Sequence, residues 1–191
     1  MINLHFAQPV LCLDDFCLNE IPKLKIITKH VLDSKQKSSG TLKANIHTTH
    51  WYNQSLHRHE AYQPFCKKLI SVAQKFAKDL GYERSSSINI INMWANEAGK
   101  HDYHQMHGHG GALVSGVYYI QSPPTAKLNF ASLFEDYDIT PDRKSKYSEI
   151  EVSYDCKPGR LLLFKGMTRH GYDAHNSDTS KISIAFNFSR L

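Results

Sequence analysis

Two histidines, His107 and His109, stand two residues apart in the run HQMHGHGGALVSGVYY. In an extended strand residues i and i+2 face the same way, so both imidazoles could grip one metal ion. Gly108, Gly110 and Gly111 add no bulk around them, leaving room for a small ligand. A third donor must come from elsewhere, and the best candidate is His170. It follows the apolar run 161–164 after a short turn and precedes a second apolar run at 182–188. A metal held between two strands of a β-sandwich is the arrangement these spacings suggest.

Other residues compete for roles around the clamp. Strict alternation along 87–94 puts Ile88, Ile90, Asn92 and Trp94 on one face and Asn89, Ile91 and Met93 on the other. Asn92 and Trp94 are therefore candidates for lining the metal cavity. Asp102 is the carboxylate to consider as an alternative ligand or as a partner to one. A second histidine pair, His57 and His59 in SLHRHE, leads into helix-favouring sequence, where positions i and i+2 diverge by about 200°. It reads as helix-leading histidines. No convincing pair of nucleophile and base accompanies the histidines.

The elements that must position these groups follow from periodicity. Residues 4–13 read as an extended segment able to add an edge strand. Ile21, Leu24, Ile27 and Val31 recur at nearly helical spacing within 19–32, with Asn19 as a cap. A polar stretch at 33–45 reads as a loop. The clearest helix spans 62–80: Phe65, Leu69, Val72, Ala73, Phe76, Ala77 and Leu80 form its apolar stripe, Pro64 suits its first turn and Gly81 its stop. Strands are expected at 87–94, 113–120, 127–130, 149–154, 161–164 and 182–188, with a loop over 95–103. The long polar segment 131–148 reads as a lid facing the substrate. Short strands separated by turn signals, after a helical N-terminal section, point to a mainly β fold with flanking helices: a double-stranded β-helix, or jelly roll. The 191 residues suit one domain, with 1–86 packing on the sheet and 87–191 forming the jelly-roll core.

Composition sets the outer bounds. At 41% hydrophobic and 21% charged residues, the chain is globular in character. No apolar run reaches the roughly 18 residues of a membrane span, and the first residues lack a basic region followed by an apolar core. Cys12, Cys17, Cys66 and Cys156 form no CxxC pair, so they are read as reduced thiols and the location as cytoplasmic. The formal charge of +5 is spread along the chain, and a nucleic-acid surface is not expected. Oligomeric state is not legible.

From about residue 90 onward the chain resembles the 2-oxoglutarate and iron(II)-dependent oxygenase superfamily, and within it the prolyl-hydroxylase-like small oxygenases of bacteria and phages. Asn92 and Trp94, MHGHGGALVSGVYYI, KPGRLLLFKGMTRH and the closing KISIAFNFSRL carry the resemblance, in that order. It implies iron(II) on His107, His109 and His170, with 2-oxoglutarate as co-substrate, O2 as oxidant and a small molecule or peptide as the substrate. Hydroxylation with release of succinate and CO2 is the implied reaction. Lys181 stands where the superfamily usually has an arginine for the far carboxylate of 2-oxoglutarate, and Ser183 matches a hydroxyl that often shares that carboxylate. Tyr119 or Tyr118 could add a further hydrogen bond. Two departures are plain: His109 replaces the usual carboxylate ligand, and Lys181 lacks arginine's two-pronged fork. They keep open a cupin-like metalloenzyme with three histidines and no use of 2-oxoglutarate. A non-catalytic jelly-roll binding protein is the third reading.

Overall fold

The computed structural model describes residues 7–35, 45–132 and 149–190. The expected lid at 131–148 lies, except for its first two residues, outside the described residues, as does most of the polar stretch 33–45.

Among the described residues, ten strands form two antiparallel sheets that face one another. In chain order they are β1 (Val10–Leu13), β2 (His47–Thr48), β3 (Ile88–Ala98), β4 (His104–His107), β5 (Val114–Gln121), β6 (Lys127–Ala131), β7 (Glu151–Asp155), β8 (Leu161–Lys165), β9 (Arg169–Tyr172) and β10 (Lys181–Arg190). The major sheet runs β1-β8-β5-β10-β3-β2 and the minor sheet β4-β9-β6-β7. Two helices, α1 (Ile21–Asp33) and α2 (Gln63–Asp79), cover the outer face of the major sheet. Both begin with a proline in the first turn, where the missing N–H costs nothing. Gly81, at φ 89°, follows α2 in the left-handed region that stops helices. The residue preceding α1 is Glu20, which makes no side-chain cap, and Asn19 lies in a short 3-10 turn before it, so the expected asparagine cap is not made.

Alternation along the strands of the major sheet divides the apolar residues into two layers. Tyr118, Ile120, Leu161, Leu163, Ile184, Phe186 and Phe188 pack outward against Leu24, Leu32, Phe65, Leu69 and Phe76 of the helices. Tyr119, Leu162 and Phe164 point inward to Leu128, Phe130 and Cys156 of the minor sheet and its flank. The inner layer is the smaller, because one end of the space between the sheets is given over to polar groups.

Strict alternation does not hold along β3. Asn187 pairs with Asn92 and Phe188 with Ile90, so a bulge absorbs Ile91 and shifts the phase. Ile88 and Ile90 therefore share the helix-facing layer with Met93 and Ala95, while Asn92 and Trp94 turn to the inner face. A bulge adds one residue to one strand and reverses the side-chain phase beyond it. The strand also runs on to Ala98, so the expected loop over 95–103 is confined to its second half.

Candidate metal centre

The minor sheet builds the site from a cross-strand pair. His107 closes β4 and lies directly opposite His170 of β9, an arrangement that brings side chains on one face within reach of each other. The two rings are 4.4 Å apart. His109 lies beyond the end of β4, in the turn leading to β5, so the clamp is not the two-on-one-strand arrangement its spacing suggests. Its backbone N–H donates to the Gly166 carbonyl at 2.7 Å, which fixes that turn against the one following β8. The ligand nitrogens of His107, His109 and His170 all lie within 4.8 Å of one another, and no other such group is found among the described residues.

Hydrogen bonds on the far side of two rings settle which nitrogen faces inward. His107 Nδ1 is 2.9 Å from the Gln105 carbonyl and His170 Nδ1 is 2.8 Å from that of Thr168. A carbonyl only accepts, so both Nδ1 atoms carry hydrogen and both Nε2 atoms keep a lone pair for a metal. Burial, and then the neighbouring histidines, push the imidazoles toward the neutral form: His109 falls to about 4 and His170 well below the ordinary value. Neutral, fixed and convergent imidazoles are the donor set for a divalent transition metal.

A fourth histidine joins them. His104 stacks on His107 with ring centroids 4.0 Å apart and 26° between planes, and it stands opposite Tyr172 on β9. Residues three apart on a regular strand face opposite ways. Here a break in register between His104 and His107 restores both to the inner face. Burial, followed by the charge of His107, lowers His104 to about 3. Sequence periodicity missed it because the bulge carries no residue signature.

Lys181 is next. It is 3% exposed, pairs with Ala98 at the start of β10, and holds its Nζ 3.0 Å from the centre of the Tyr172 ring. No carboxylate pairs with it among the described residues, and burial drops it to about 8. An unpaired ammonium in such a place is costly, and an anion beside it would offset that cost. Ser183 follows on the same face, and the Tyr172 hydroxyl is buried without a partner. Lys181, Tyr172, His104 and His107 thus form a continuous file of contacts leading into the histidine cluster. Tyr172 and His104 were not among the residues the sequence singled out.

The remaining candidates divide. Trp94 lies 5.7 Å from His109, and Asn92 buries an unpartnered Oδ1 on the same face. Tyr119 faces inward with its hydroxyl against the Cys156 thiol. Tyr118 does not belong to the site: it turns to the helices, donates to the Phe16 carbonyl at 2.8 Å and packs on Phe65. Asp102 is no ligand either, since its oxygens accept from the Gly99 backbone and from Asn45 at 2.8 Å each. His57 lies in a 3-10 turn and His59 caps the next one by accepting from Ala61 N, so the second pair stays outside the site.

Residues 92–187 match the profile of a family described as "Putative 2OG-Fe(II) oxygenase". That span holds every inward-facing candidate above. A comparison with curated proteins by sequence finds no match. Among solved structures, the fold is similar to the non-heme alpha ketoglutarate dependent epimerase SnoN from nogalamycin biosynthesis, at 9% identity, with 96% of this chain and 79% of that one covered and a TM-score of 0.70. It is similar to a Pseudomonas putida prolyl-4-hydroxylase at 9% identity, covering 94% and 92%, with a TM-score of 0.63. HygX from Streptomyces hygroscopicus, solved with nickel and 2-oxoglutarate bound, gives 10% identity, 96% and 83% coverage and a TM-score of 0.63. These likenesses establish the double-stranded β-helix.

Proposed function

The chain belongs to the 2OG-Fe(II) oxygenase family, and from that premise we propose that His107, His109 and His170 hold its iron(II), that Lys181 holds the far carboxylate of 2-oxoglutarate, and that the outcome is hydroxylation of a small molecule or peptide. It is an iron(II)- and 2-oxoglutarate-dependent oxygenase. When bound, iron(II) and 2-oxoglutarate let O2 insert one oxygen atom into a substrate C–H bond, the other going to succinate as CO2 leaves.

The residues fit both groups. Three neutral imidazoles leave the charge of a divalent ion uncompensated, and a dicarboxylate supplies the balance. The Gln105 and Thr168 carbonyls orient His107 and His170. Lys181, the Ser183 hydroxyl and the unpartnered Tyr172 hydroxyl offer donors to one carboxylate, and the His104 ring fills the space between that seat and His107. Trp94 packs edge-on against the His109 ring. The thiols of all four cysteines are free, which supports the cytoplasmic location expected from sequence.

The observation that carries this reading is the buried, unpaired Lys181 joined to the histidine cluster by Tyr172 and His104. A three-histidine enzyme that made no use of 2-oxoglutarate would have no need of that ammonium. The test is anaerobic titration of iron(II) and then 2-oxoglutarate, followed by metal-to-ligand absorption. His107→Ala should lose tight metal binding while His57→Ala keeps it. Lys181→Met should keep the metal and bind 2-oxoglutarate about 10 to 100 times more weakly, the loss of one charge-assisted hydrogen bond. Equal affinities would remove Lys181 from the site, and no binding by the metal-loaded wild type would favour the cupin-like enzyme.

A further inference from the structure

Trp51 is 69% exposed, an uncommon placement for the largest apolar side chain. The turn that carries it is tightly held. Thr49 donates its backbone N–H to the Ala95 carbonyl at 2.9 Å and accepts the Ala95 N–H on its hydroxyl at 3.0 Å. The same hydroxyl reaches the Asn53 carbonyl at 2.8 Å, the Gln54 amide bonds the His50 carbonyl at 2.8 Å, and Met93 N–H donates to the Gln54 carbonyl at 2.8 Å. Residues 49–54 are thus stitched to β3 alongside Trp94. The indole is displayed on a fixed support.

From Trp51 a file of rings leads inward. Its indole meets the His50 ring edge-on at 4.8 Å, His50 meets Trp94 at 5.0 Å, and Trp94 meets His109 at 5.7 Å. Every step lies within the range of favourable aromatic contact. The file is also uncharged. Burial lowers His50, and no acidic group among the described residues acts on it. An indole face would attract a cation in isolation, but this one leads through His50 and Trp94 to a histidine cluster suited to a dication, whose field opposes one.

We propose that Trp51 and His50 form the outer half of the substrate site, a stacking platform for an uncharged aromatic ring whose pendant carbon is presented past Trp94 to the metal centre. The proposal rests on the oxygenase reading and adds the class of substrate. Trp51 and His50 touch the ring; neither takes part in the oxidation. A stacked ring is held by shape and polarisability, so the site tolerates substituents on the ring better than its loss.

The probes are N-acetyl-tyrosinamide and indole-3-acetamide, with N-acetyl-leucinamide and methyl glucoside as aliphatic and saccharide counterparts. Each is titrated anaerobically into protein loaded with iron(II) and 2-oxoglutarate, and its stimulation of succinate release is read in air. The aryl probes should perturb the metal absorption and accelerate succinate release, the others much less. Trp51→Ala should raise the aryl dissociation constants at least tenfold with 2-oxoglutarate affinity unchanged, Trp51→Phe should recover most of that loss, and Ile26→Ala, an exposed site on α1, should do nothing. Equal aryl binding by wild type and Trp51→Ala overturns the proposal, as does equal binding of leucinamide or glucoside, or no aryl binding at all. A wild type that binds aryl probes, by indole fluorescence, yet develops no absorption with iron(II) and 2-oxoglutarate refutes the oxygenase reading and leaves the platform standing.

Discussion

In the role proposed for it, Lys181 would trade stability for binding. Its ammonium sits among Tyr172, Cys156 and the histidines, and burial lowers it from 10.5 to about 8. Between those two values the unfolded chain holds a proton that the fold has released, so stability rises with pH across that window and the charged form is penalised below it. The penalty is about 3 kcal/mol at neutral pH, taking 1.4 kcal/mol per pH unit. Lys181→Met should therefore melt at a higher temperature than wild type at pH 7 in the absence of 2-oxoglutarate, with the difference shrinking as pH rises from 8 to 10.5. Affinity for 2-oxoglutarate should run the other way, declining above about pH 8 in the wild type and staying flat in the variant. Calorimetric scans and titrations at several pH values check both. A variant no more stable than wild type would mean that the lysine is not paying for its burial.

At the level of elements, the site depends on how closely β4 lies against β9. Gly171 stands between His170 and Tyr172, and a methyl group there would come within 2.7 Å of the His104 carbonyl and 2.9 Å of the next peptide. Backbone cannot swing aside as a side chain can. Gly171→Ala should displace β4, and with it His104 and His107, while β9 keeps its pairing with β6. Metal affinity is expected to fall at least tenfold, with far-ultraviolet circular dichroism nearly unchanged. Retention of wild-type affinity would show that the histidines do not rely on that pairing. The bulge between His104 and His107 belongs to the same element: it makes two residues of opposite strand phase share one face.

Across the whole molecule the two apolar layers divide labour. The outer layer, between the helices and the major sheet, is the larger and holds the fold together, whereas the inner layer borders the metal centre. Phe65 is fully buried in the outer layer, against Phe16 and Tyr118. Phe65→Ala should cost about 3 to 5 kcal/mol in denaturant unfolding, yet leave the iron(II) affinity of the folded fraction within about twofold. In contrast, Phe164 lies 4.6 Å from His170 and 5.0 Å from Phe130. Phe164→Ala should lower stability and metal affinity together, because it removes the packing that holds a ligand ring.

What could be read from the chain alone was whatever a local pattern encodes. The apolar stripes of both helices, most of the strands, the spacing of His107 and His109, and the phrase that leads to His170 all carry local signals, and the resemblance supplied the family. Lys181 and Ser183 could be placed on one face because β10 pairs with β3 without a break over that stretch. What the sequence could not carry was register. The bulge at Ile91 moved Asn92 and Trp94 away from the face of Ile88, and the break in β4 admitted His104. Tyr118 and Tyr119 are equivalent as letters, and only the pairing of β5 with β8 and β10 assigned one to the helices and the other to the interior. His50 and Trp51 come from a turn whose partner, β3, lies far along the chain. A bulge costs little locally and is selected by what the sheets gain in packing, so it is decided only when the strands meet.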